Sequence, residues 1–568
     1  MRWLREQVQK RPAQSFLNGY SYKQIYEQAV LNVGFLEGAI RSRKRIGVCS
    51  ENSVSMAILL FALWLMGKEV FLVNPQLTVE ERMTQAVELG VDLVFTSPAV
   101  QGRIVAEQEA ADSEQLQLGK AKMCSLAGCV SSAMAQIRLD DGTREHIVQW
   151  QTMPVLPLMD EQTTQRLVAL FEQLLPQTEA GIKTVITEPK SAGIAAIMTT
   201  SATTGKVKAV PLGWKQIEAH VKASAQVLGV LPDDNWLIVL PMFHVSGLSI
   251  LLRTLYNGTA ATIHSGFDEA AVLTAISSGK INMVSLVPTV LQRLVPYIEN
   301  NKLRVILLGG EFIPNALVEA CLAKALPIFK TYGMTETFAQ STTVDLLTHP
   351  DKWQSVGKPL PGVSIEIRPL GSSNENRQSE FQNQVFDVDS QADQFAPGQS
   401  VDEESQNYRA GKALYEGTVD KDHTDEEVYQ IGEVWIKSPM VMNGYLGQKS
   451  IEGFFNTDDM GYVDEDGYLY IVNRRKDIII SGGENIYPKE IEDVLYNLAG
   501  VKECAVVPKA DTKWGQVPVL YYAGTASESS VAAHLKQHLG RYKQPKEIHK
   551  LEALPRNSSG KILRRALV

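Results

Sequence analysis

The stretch IAAIMTTSATTGKVK, residues 194–208, passes from an apolar run into a polar loop and indicates the class of fold. The run Ile194–Met198 is typical of a buried strand, so the polar residues after it form a loop at the end of that strand. Residues 199–208 contain five hydroxyl side chains, one glycine and two lysines. Hydroxyls, backbone N–H groups and ammonium groups can together surround phosphate oxygens. A surface turn rich in serine and threonine is the other interpretation, and this loop alone does not decide between them.

Strands and helices alternate in the pattern from about residue 187 to residue 340. Strands are predicted at 194–198, 236–240, 281–287 and 304–308, and helices at 214–228, 247–257, 268–278 and 314–325. This order predicts a largely parallel sheet with helices on both faces, which is an α/β fold. Such sheets bind ligands at the carboxyl ends of their strands. The polar clusters 199–208, 309–311 and 331–337 each follow a predicted strand, so we expect them to lie at one site.

The composition is ordinary for a soluble protein of 568 residues, with 44% hydrophobic and 21% charged side chains. A formal net charge of −9 gives no overall basic field, so we expect no nucleic-acid partner. The five cysteines include no CxxC pair and the nine histidines no HExxH arrangement. These counts argue against a zinc site.

The sequence indicates neither a membrane span nor an export signal. The longest apolar run, Met56–Met66, is too short to cross a bilayer. The first residues, MRWLREQVQKRPAQ, lack the apolar core of a signal peptide. We therefore expect a cytoplasmic protein with reduced cysteines, and the sequence leaves open whether it forms a homo-oligomer.

The chain divides into a large N-terminal part and a small C-terminal part. Residues 1–100 predict a further α/β unit, with strand Arg45–Cys49, helix Ser53–Met66 and strand Glu69–Val73, whereas residues 101–190 carry no clear motif. The C-terminal module is predicted to contain strands Asp477–Ile480, Glu503–Val507 and Val517–Ala523 and helices Pro488–Leu498 and Ser530–Leu539. We therefore predict an N-terminal domain of residues 1–473 and a C-terminal domain of residues 474–568.

Residues 371–430 differ in composition from the rest of the chain. They contain 14 acidic and 4 basic side chains, and they are rich in Gln, Ser and Asn. Such a segment cannot bury enough apolar surface to order itself. We predict an acidic, largely disordered insertion, whose role the sequence does not give.

Two further loops carry groups that suit a nucleotide. In KTYGMTET, residues 330–337, Tyr332 offers a flat face to a base and Gly333 permits a tight turn. Thr335 offers a hydroxyl to a phosphate, and Glu336 offers a carboxylate to Mg²⁺. In TDDMG, residues 457–461, an ionised aspartate could accept hydrogen bonds from both hydroxyls of a ribose. A polar loop with one packed tyrosine and a plain acidic turn are the respective alternatives.

Two basic motifs lie in the C-terminal part. Residues 473–477 read NRRKD and precede a strand and a Gly–Gly pair, which suits a hinge between domains or a solvated linker. Lys561 lies in the Ser/Gly loop of LPRNSSGKILRR, residues 554–565. This is not a Walker phosphate loop, because no glycine stands five positions before Gly560 and Ile562 follows the lysine. A basic tail is the alternative.

In order and spacing, these motifs resemble those of the adenylate-forming superfamily, which includes acyl- and aryl-CoA synthetases. The likeness covers nearly the whole chain apart from 101–190 and 371–430. It implies a large N-terminal domain with mixed and parallel sheets and a small, mobile C-terminal α+β domain. Within the superfamily the chain is most similar to the bacterial o-succinylbenzoate–CoA ligases of menaquinone biosynthesis. That similarity lies in LPMFHVSGLS (240–249), YGMTET (332–337), RKDIIISGGENIYP (475–488) and KWG (513–515).

The resemblance implies an AMP-forming acid–thiol ligase that uses ATP, Mg²⁺ and CoA. In the first half-reaction of the family, a carboxylate attacks the α-phosphorus of ATP and gives an acyl-adenylate and pyrophosphate. In the second, the thiol of CoA displaces AMP. With o-succinylbenzoate the products are o-succinylbenzoyl-CoA, AMP and pyrophosphate.

The same resemblance assigns roles to residues of this chain. The catalytic residues are Lys561, Thr335 and His244. The phosphates of ATP are assigned to Thr200, Ser201, Thr203, Thr204, Gly205 and Lys208. The adenine is assigned to Gly309, Gly310, Glu311, Tyr332 and Gly333, the ribose to Asp459 and Arg474, and Mg²⁺ to Glu336. Lys561 would bridge the substrate carboxylate and the α-phosphate. The small domain would then rotate about the hinge residue Lys476, so that Gly482 and Gly483 line the tunnel for CoA.

The acyl substrate is assigned to His244, Ser246 and Arg253. Arg253 is the one cation of the otherwise apolar helix predicted at 248–256, and a buried cation needs an anionic partner. The second carboxylate of o-succinylbenzoate would supply that partner. A surface arginine that extends its charge into water is the alternative.

The chain departs from the usual family pattern at four positions. Ala202, Val207 and Ala209 replace Gly, Pro and Gly in the phosphate loop, and Asp458 replaces the Gly before Asp459. If Ala202 needed a positive φ, the strain would be about 1 kcal/mol. The retained hydroxyls and charges favour an active enzyme. The alternatives are another aryl- or acyl-CoA synthetase and a nucleotide-binding homologue with reduced turnover.

Overall fold

The computed structural model describes residues 2–104, 134–140, 145–153, 193–200, 208–299, 301–310, 313–369, 430–474, 477–481, 484–511, 514–541, 543–556 and 561–567. Most of 101–190 lies outside the described residues, and so does the predicted insertion at 371–430 apart from Gln430. Several residues with predicted roles also lie outside them, namely Ser201, Ala202, Thr203, Thr204, Gly205, Val207, Glu311, Lys476, Gly482 and Gly483.

The described residues form 25 strands. In the N-terminal part they are β1 (Ser15–Leu17), β2 (Tyr20–Ser21), β3 (Arg45–Cys49), β4 (Glu69–Leu72), β5 (Leu93–Thr96), β6 (Met134–Asp140), β7 (Glu145–Thr152), β8 (Ile194–Thr200), β9 (Lys208–Gly213), β10 (Asn235–Ile238), β11 (Ala260–Ile263), β12 (Met283–Leu286), β13 (Val305–Leu308), β14 (Ile328–Tyr332), β15 (Thr342–Asp345) and β16 (Lys358–Pro359). The others are β17 (Ser364–Arg368), β18 (Gly432–Lys437), β19 (Phe455–Val463), β20 (Leu469–Arg474), β21 (Ile479–Ser481), β22 (Glu484–Ile486), β23 (Val501–Asp511), β24 (Gly515–Gly524) and β25 (Glu547–Leu551).

The helices named here lie within the same described ranges. They are α1 (Arg2–Lys10), α2 (Tyr22–Ile40), α3 (Val54–Leu65), α4 (Val79–Glu88), α5 (Trp214–Leu228), α6 (Val245–Asn257), α7 (Glu269–Ser277), α8 (Pro288–Leu294), α9 (Asn315–Ala323), α10 (Pro488–Tyr496) and α11 (Glu528–His538). No helix in this part of the chain combines the length and the hydropathy that a bilayer span requires.

Two large sheets form the N-terminal part of the described structure. One has nine strands in the order β16-β15-β14-β13-β12-β10-β11-β1-β2, and its central strands from β11 to β14 are parallel. The other has seven strands in the order β6-β7-β5-β3-β4-β8-β9. Helices of the described chain connect successive parallel strands in both sheets, such as α3 between β3 and β4 and α6 between β10 and β11, as expected when buried apolar runs alternate with amphipathic segments.

One hydrophobic core joins the two large sheets. Helix α3 is apolar on all sides, and every side chain from Met56 to Leu65 is buried. The hydroxyl of Ser53 accepts a hydrogen bond from the backbone N–H of Met56 at 3.0 Å and so begins this helix. The same core contains Val48 of the seven-stranded sheet and Ile238 of the nine-stranded sheet. The helix therefore holds the two sheets together.

Two smaller sheets complete the described chain. Strands β17, β18, β19 and β20 form an antiparallel sheet of four strands. In the C-terminal part, β22, β21, β24 and β23 form a second sheet, to which β25 adds in parallel beside β24. Helices α10 and α11 pack on this sheet through Ile491, Leu495, Val531 and Leu535.

The elements predicted from the sequence are confirmed, with ends that differ by a few residues. The sheet assignment of one strand is wrong. The strand predicted at 194–198 was expected in the same sheet as the three that follow it, but β8 pairs with β4 and β9 in the seven-stranded sheet. Apolar periodicity reveals that a strand is buried and not which strand it pairs with, so the change of sheet after β9 leaves no local signal.

Candidate active site

Two glycines that follow neighbouring parallel strands are closely surrounded by backbone. Gly309 follows β13, and Gly333 follows the neighbouring strand β14. A Cβ atom at Gly309 would lie 2.7 Å from the carbonyl oxygen of Thr331, and one at Gly333 would lie 1.5 Å from that of Ala339. Both positions therefore need glycine because the backbone leaves no space for a side chain.

The turn after β14 is a short 3₁₀ helix, Thr335–Thr337. The next two residues, Phe338 and Ala339, have φ values of +52° and +85°, so the chain reverses sharply there. The backbone carbonyl of Glu336 accepts a hydrogen bond from the N–H of Met442 at 2.7 Å. These contacts fix the backbone that carries Thr335 and Glu336.

Tyr445 contacts two charged residues, Glu336 in the turn after β14 and Lys208 at the end of the phosphate loop. Its hydroxyl donates a hydrogen bond to Oε1 of Glu336 at 3.0 Å. The ammonium group of Lys208 lies 4.9 Å from the centroid of the Tyr445 ring. Burial and the charge of Glu336 raise the pKa of Tyr445, so the hydroxyl stays protonated. Residues from two different sheets thus meet around one aromatic ring.

The backbone at the edge of the phosphate loop does not require the glycine that Ala209 replaces. Ala209 lies in β9 opposite Thr199, in extended conformation, and its carbonyl accepts a hydrogen bond from the N–H of Leu446 at 2.9 Å. Its φ is not positive. Thr200, on the other side of the loop, donates from its hydroxyl to the carbonyl of Lys208 at 3.5 Å.

Asp459 lies beside the aromatic residue predicted to face a base. Its Oδ2 accepts a hydrogen bond from the hydroxyl of Tyr332 at 2.6 Å, and its side chain is buried. Arg474 is its partner across β19 and β20. Asp458 has a φ of +61°, the left-handed region that aspartate tolerates better than most residues. The substitution of aspartate for glycine therefore fits the backbone here.

Lys561 reaches the same edge of the nine-stranded sheet from the C-terminal part of the chain. Its Cε lies 4.0 Å from the place where a Cβ of Gly310 would be. Burial, and then the charge of Lys561, lower the pKa of His244 to about 4. His244 is thus neutral at physiological pH, and it precedes the first turn of α6, to which Ser246 belongs.

Arg253 is a buried cation. It is 1% exposed, which excludes the alternative of a surface arginine. Its guanidinium carbon lies 4.6 Å from the centroid of the Trp236 ring, and its Nη2 donates to Oε1 of Gln340 at 2.9 Å. Within the described part of the chain, its Nε and Nη1 have no hydrogen-bond partner. Burial lowers the pKa of Arg253 to about 9, so it remains charged at neutral pH.

Sequence reasoning missed two residues of this region, Tyr445 and Gln340. Gln340 accepts hydrogen bonds from Arg253 and from the hydroxyl of Ser224, at 2.9 and 2.7 Å. It also donates to the hydroxyl of Thr343 at 3.0 Å. Neither residue type reveals such a role in sequence, because each acts through partners that are distant along the chain.

The available ligands fit Mg²⁺ better than a metal held by protein groups alone. In the described ranges, no group of three or more His, Cys, Asp or Glu side chains is placed to hold a metal ion. Mg²⁺ in nucleotide sites is commonly held by one or two carboxylates together with substrate phosphates. Glu336 can supply such a carboxylate beside the phosphate loop.

Comparison with known proteins defines the class of this chain. The model for the AMP-binding enzyme family matches residues 3–377, and that for the AMP-binding enzyme C-terminal domain matches residues 490–561. The chain belongs to the AMP-binding enzyme family, as the sequence motifs predicted.

Relatives of this chain in that family include several 2-succinylbenzoate–CoA ligases. The chain is 42% identical to the 2-succinylbenzoate–CoA ligase of Lactococcus lactis subsp. lactis (strain IL1403) over 567 residues, all of both chains. It is 31% identical to that of Staphylococcus aureus (strain MW2), covering 96% of this chain and 94% of the relative. The solved o-succinylbenzoate CoA synthetase of Bacillus subtilis, in complex with the acyl-adenylate intermediate, matches with a TM-score of 0.73 and 28% identity. That match covers 100% of this chain and 97% of the solved one.

Proposed function

We propose that this chain is a 2-succinylbenzoate–CoA ligase. The carboxylate of o-succinylbenzoate attacks the α-phosphorus of ATP. The bond from that phosphorus to the bridging oxygen breaks, and pyrophosphate leaves with this oxygen and the bonding electrons. The thiolate of CoA then attacks the acyl carbon of the adenylate, and AMP leaves. The products are o-succinylbenzoyl-CoA, AMP and pyrophosphate, which fits a role in menaquinone biosynthesis.

The observation that carries this proposal is the position of Lys561, whose Cε lies 4.0 Å from the place where a Cβ of Gly310 would be. A lysine from the last residues of the chain lies at the carboxyl edge of the sheet, where the nucleotide motifs also end. A fixed ammonium there would offset the charge of both the attacking carboxylate and the α-phosphate. The 42% identity to the Lactococcus enzyme over the full length supports the same reaction.

We assign the nucleotide to the groups around this edge. Lys208, Thr200 and the loop residues Ser201, Thr203, Thr204 and Gly205 would hold the phosphates, with Thr335 on the α-phosphate. Tyr332 and the glycines 309, 310 and 333 would bound the adenine, together with Glu311. Asp459 and Arg474 would hold the ribose, and Glu336 would hold Mg²⁺. The B. subtilis synthetase, which is 27% identical to this chain, has been solved with ATP and magnesium ion. That complex supports ATP and Mg²⁺ as ligands of this chain.

We assign the acyl substrate to His244, Ser246 and Arg253, which lie on α6 or directly before it. The buried guanidinium has two nitrogen atoms without a hydrogen-bond partner in the described structure. A buried charge without an anion is costly, so an anionic ligand would stabilise it. The second carboxylate of o-succinylbenzoate would supply this charge. A simple benzoate has only the carboxylate that reacts.

The second half-reaction requires Lys561 to leave the site. We infer that the domain after residue 473 rotates about Lys476 and brings Gly482 and Gly483 to the CoA tunnel. The match of a separate C-terminal family model to residues 490–561 supports such a division. We place the reaction in the cytoplasm, with small molecules as its partners.

A panel of acids tests this function. The purified protein is incubated with ATP, Mg²⁺, CoA and one acid at a time, and both pyrophosphate and the acyl-CoA are measured. We expect o-succinylbenzoate to exceed benzoate and medium-chain fatty acids. A preference for another acid would indicate a different acyl-CoA synthetase. ATP binding without pyrophosphate release on any acid would indicate a homologue that has lost turnover.

A further inference from the structure

We propose that Tyr445 is a positioning residue that keeps Lys208 and Glu336 separate and correctly directed for the phosphates and Mg²⁺ of ATP. This inference rests on the proposed function, because it concerns the nucleotide site of the same reaction. It adds a residue to that site which none of the sequence motifs identifies.

The side chain of Tyr445 contacts both charged groups. Its ring lies under the ammonium of Lys208 at 4.9 Å, and its hydroxyl donates to Oε1 of Glu336 at 3.0 Å. The first contact attracts a cation to the ring face, and the second is a hydrogen bond to a carboxylate. Tyr445 therefore contacts both Lys208, which is proposed to bind phosphate, and Glu336, which is proposed to bind the metal ion.

The backbone around Tyr445 is fixed to the same two loops. The N–H of Leu446 donates to the carbonyl of Ala209, next to Lys208, at 2.9 Å. The N–H of Met442 donates to the carbonyl of Glu336 at 2.7 Å. The segment 442–446 thus connects the seven-stranded sheet with the turn that follows β14. These bonds hold the backbone on both sides of Tyr445 to β9 and to that turn, independently of the contacts of its side chain.

The ring also prevents a competing interaction. Lys208 and Glu336 carry opposite charges and both contact Tyr445, one at the ring and the other at the hydroxyl, yet no ion pair joins them in the described structure. A direct ion pair would neutralise both groups and would have to break before ATP and Mg²⁺ bind. The hydroxyl engages one carboxylate oxygen only, which leaves the other for the metal ion.

Two substitutions separate the two contacts. Tyr445→Phe keeps the ring and removes the bond to Glu336, so we expect the Mg²⁺ concentration for half-maximal ATP–pyrophosphate exchange to rise about tenfold. Tyr445→Leu also removes the ring, so the KM for ATP should rise as well, by about threefold to tenfold. Thioester formation from supplied o-succinylbenzoyl-AMP should be unchanged in both, because that step uses neither Mg²⁺ nor the outer phosphates.

A matched control removes the same kind of bond elsewhere. Tyr470 donates from its hydroxyl to Oδ2 of Asp464 at 3.1 Å, outside the nucleotide site. Tyr470→Phe should leave the Mg²⁺ dependence as in the unchanged protein. Calorimetry of ATP binding at several Mg²⁺ concentrations gives a second measurement that needs no acyl substrate.

The outcomes are distinguishable. A shift in Mg²⁺ dependence for Tyr445→Phe, in exchange and in calorimetry, supports the inference. An unchanged Mg²⁺ dependence, or equal loss of both half-reactions, overturns it. If the unchanged protein shows no exchange with o-succinylbenzoate, the proposed function fails, and the calorimetric comparison still decides the role of Tyr445.

Discussion

Replacing Arg253 with leucine should impair the binding of o-succinylbenzoate and leave the binding of ATP intact. Arg253 is 1% exposed, donates once to Gln340 and has two nitrogen atoms without a partner in the described structure. A substrate carboxylate would accept from those two atoms. The Arg253→Leu variant can offer that carboxylate neither a charge nor a donor.

The magnitude follows from the bonds that would be lost. One hydrogen bond to a charged group contributes about 1.5–3 kcal/mol, so the loss of even one of the two bonds should raise the KM for o-succinylbenzoate by about 10- to 150-fold. The free energy of unfolding should be unchanged or higher, because the substitution removes a buried charge that lacks an anionic partner. Steady-state kinetics with each substrate varied in turn and urea unfolding measure the two effects.

Arg304 provides the control. It directly precedes β13 of the nine-stranded sheet, and its Nε donates to Oδ1 of Asp234 at 2.6 Å, so this arginine already has an anionic partner. Arg304→Leu should lower the free energy of unfolding by about 1–3 kcal/mol, because the buried Asp234 loses its charged partner, and should leave both KM values unchanged. An unchanged KM for o-succinylbenzoate in a folded Arg253→Leu variant would refute the assignment of Arg253 to the substrate.

Three further predictions follow from individual residues. Because the pKa of His244 is about 4 in the fold and 6.5 ordinarily, the unfolded chain binds this proton more readily between those values, and the free energy of unfolding should rise with pH across that window. In His244→Phe that rise should be shallower in urea titrations, and an identical slope would show that the fold does not lower the pKa of His244. Ala209→Gly should lower the free energy of unfolding by about 0.5–1 kcal/mol, because Ala209 is extended. Asp458→Gly should not lower it, because φ at Asp458 is +61°. The reverse order in urea unfolding would contradict both backbone assignments. Asp459→Ala should reduce the preference for ATP over 2′-deoxy-ATP by about tenfold in kcat/KM, and a retained preference would exclude Asp459 as the ribose ligand.

The sequence was sufficient for most of the fold and for the class of enzyme. Apolar runs of five to seven residues predicted β10, β12 and β13, because a strand buried on both faces shows no alternation with polar positions. The partner of β8 was not predictable in the same way. Strand pairing depends on contacts across the chain, and β8 lies in the other sheet beside β4.

The residues of the site also fall into two groups, those that the sequence predicts and those that it does not. Motifs that are contiguous, such as YGMTET, could be identified from residue types and spacing. The bond between Tyr445 and Glu336 joins residues 109 positions apart, so no local pattern predicts it. The burial of Arg253 was an open choice in sequence, since an arginine in an apolar helix can extend to water or remain in the core. Only the packing of α6 against Trp236 and Gln340 decides it.

The most direct test of the central claim separates the two half-reactions in Lys561→Ala. Acyl-adenylate formation is followed as o-succinylbenzoate-dependent ATP–pyrophosphate exchange, and thioester formation as conversion of supplied o-succinylbenzoyl-AMP to o-succinylbenzoyl-CoA. If Lys561 stabilises only the first transition state, exchange should be abolished and thioester formation should stay near that of the unchanged protein. Equal loss of both half-reactions, or full retention of exchange, would contradict the role given to this lysine and to the edge of the sheet where it lies.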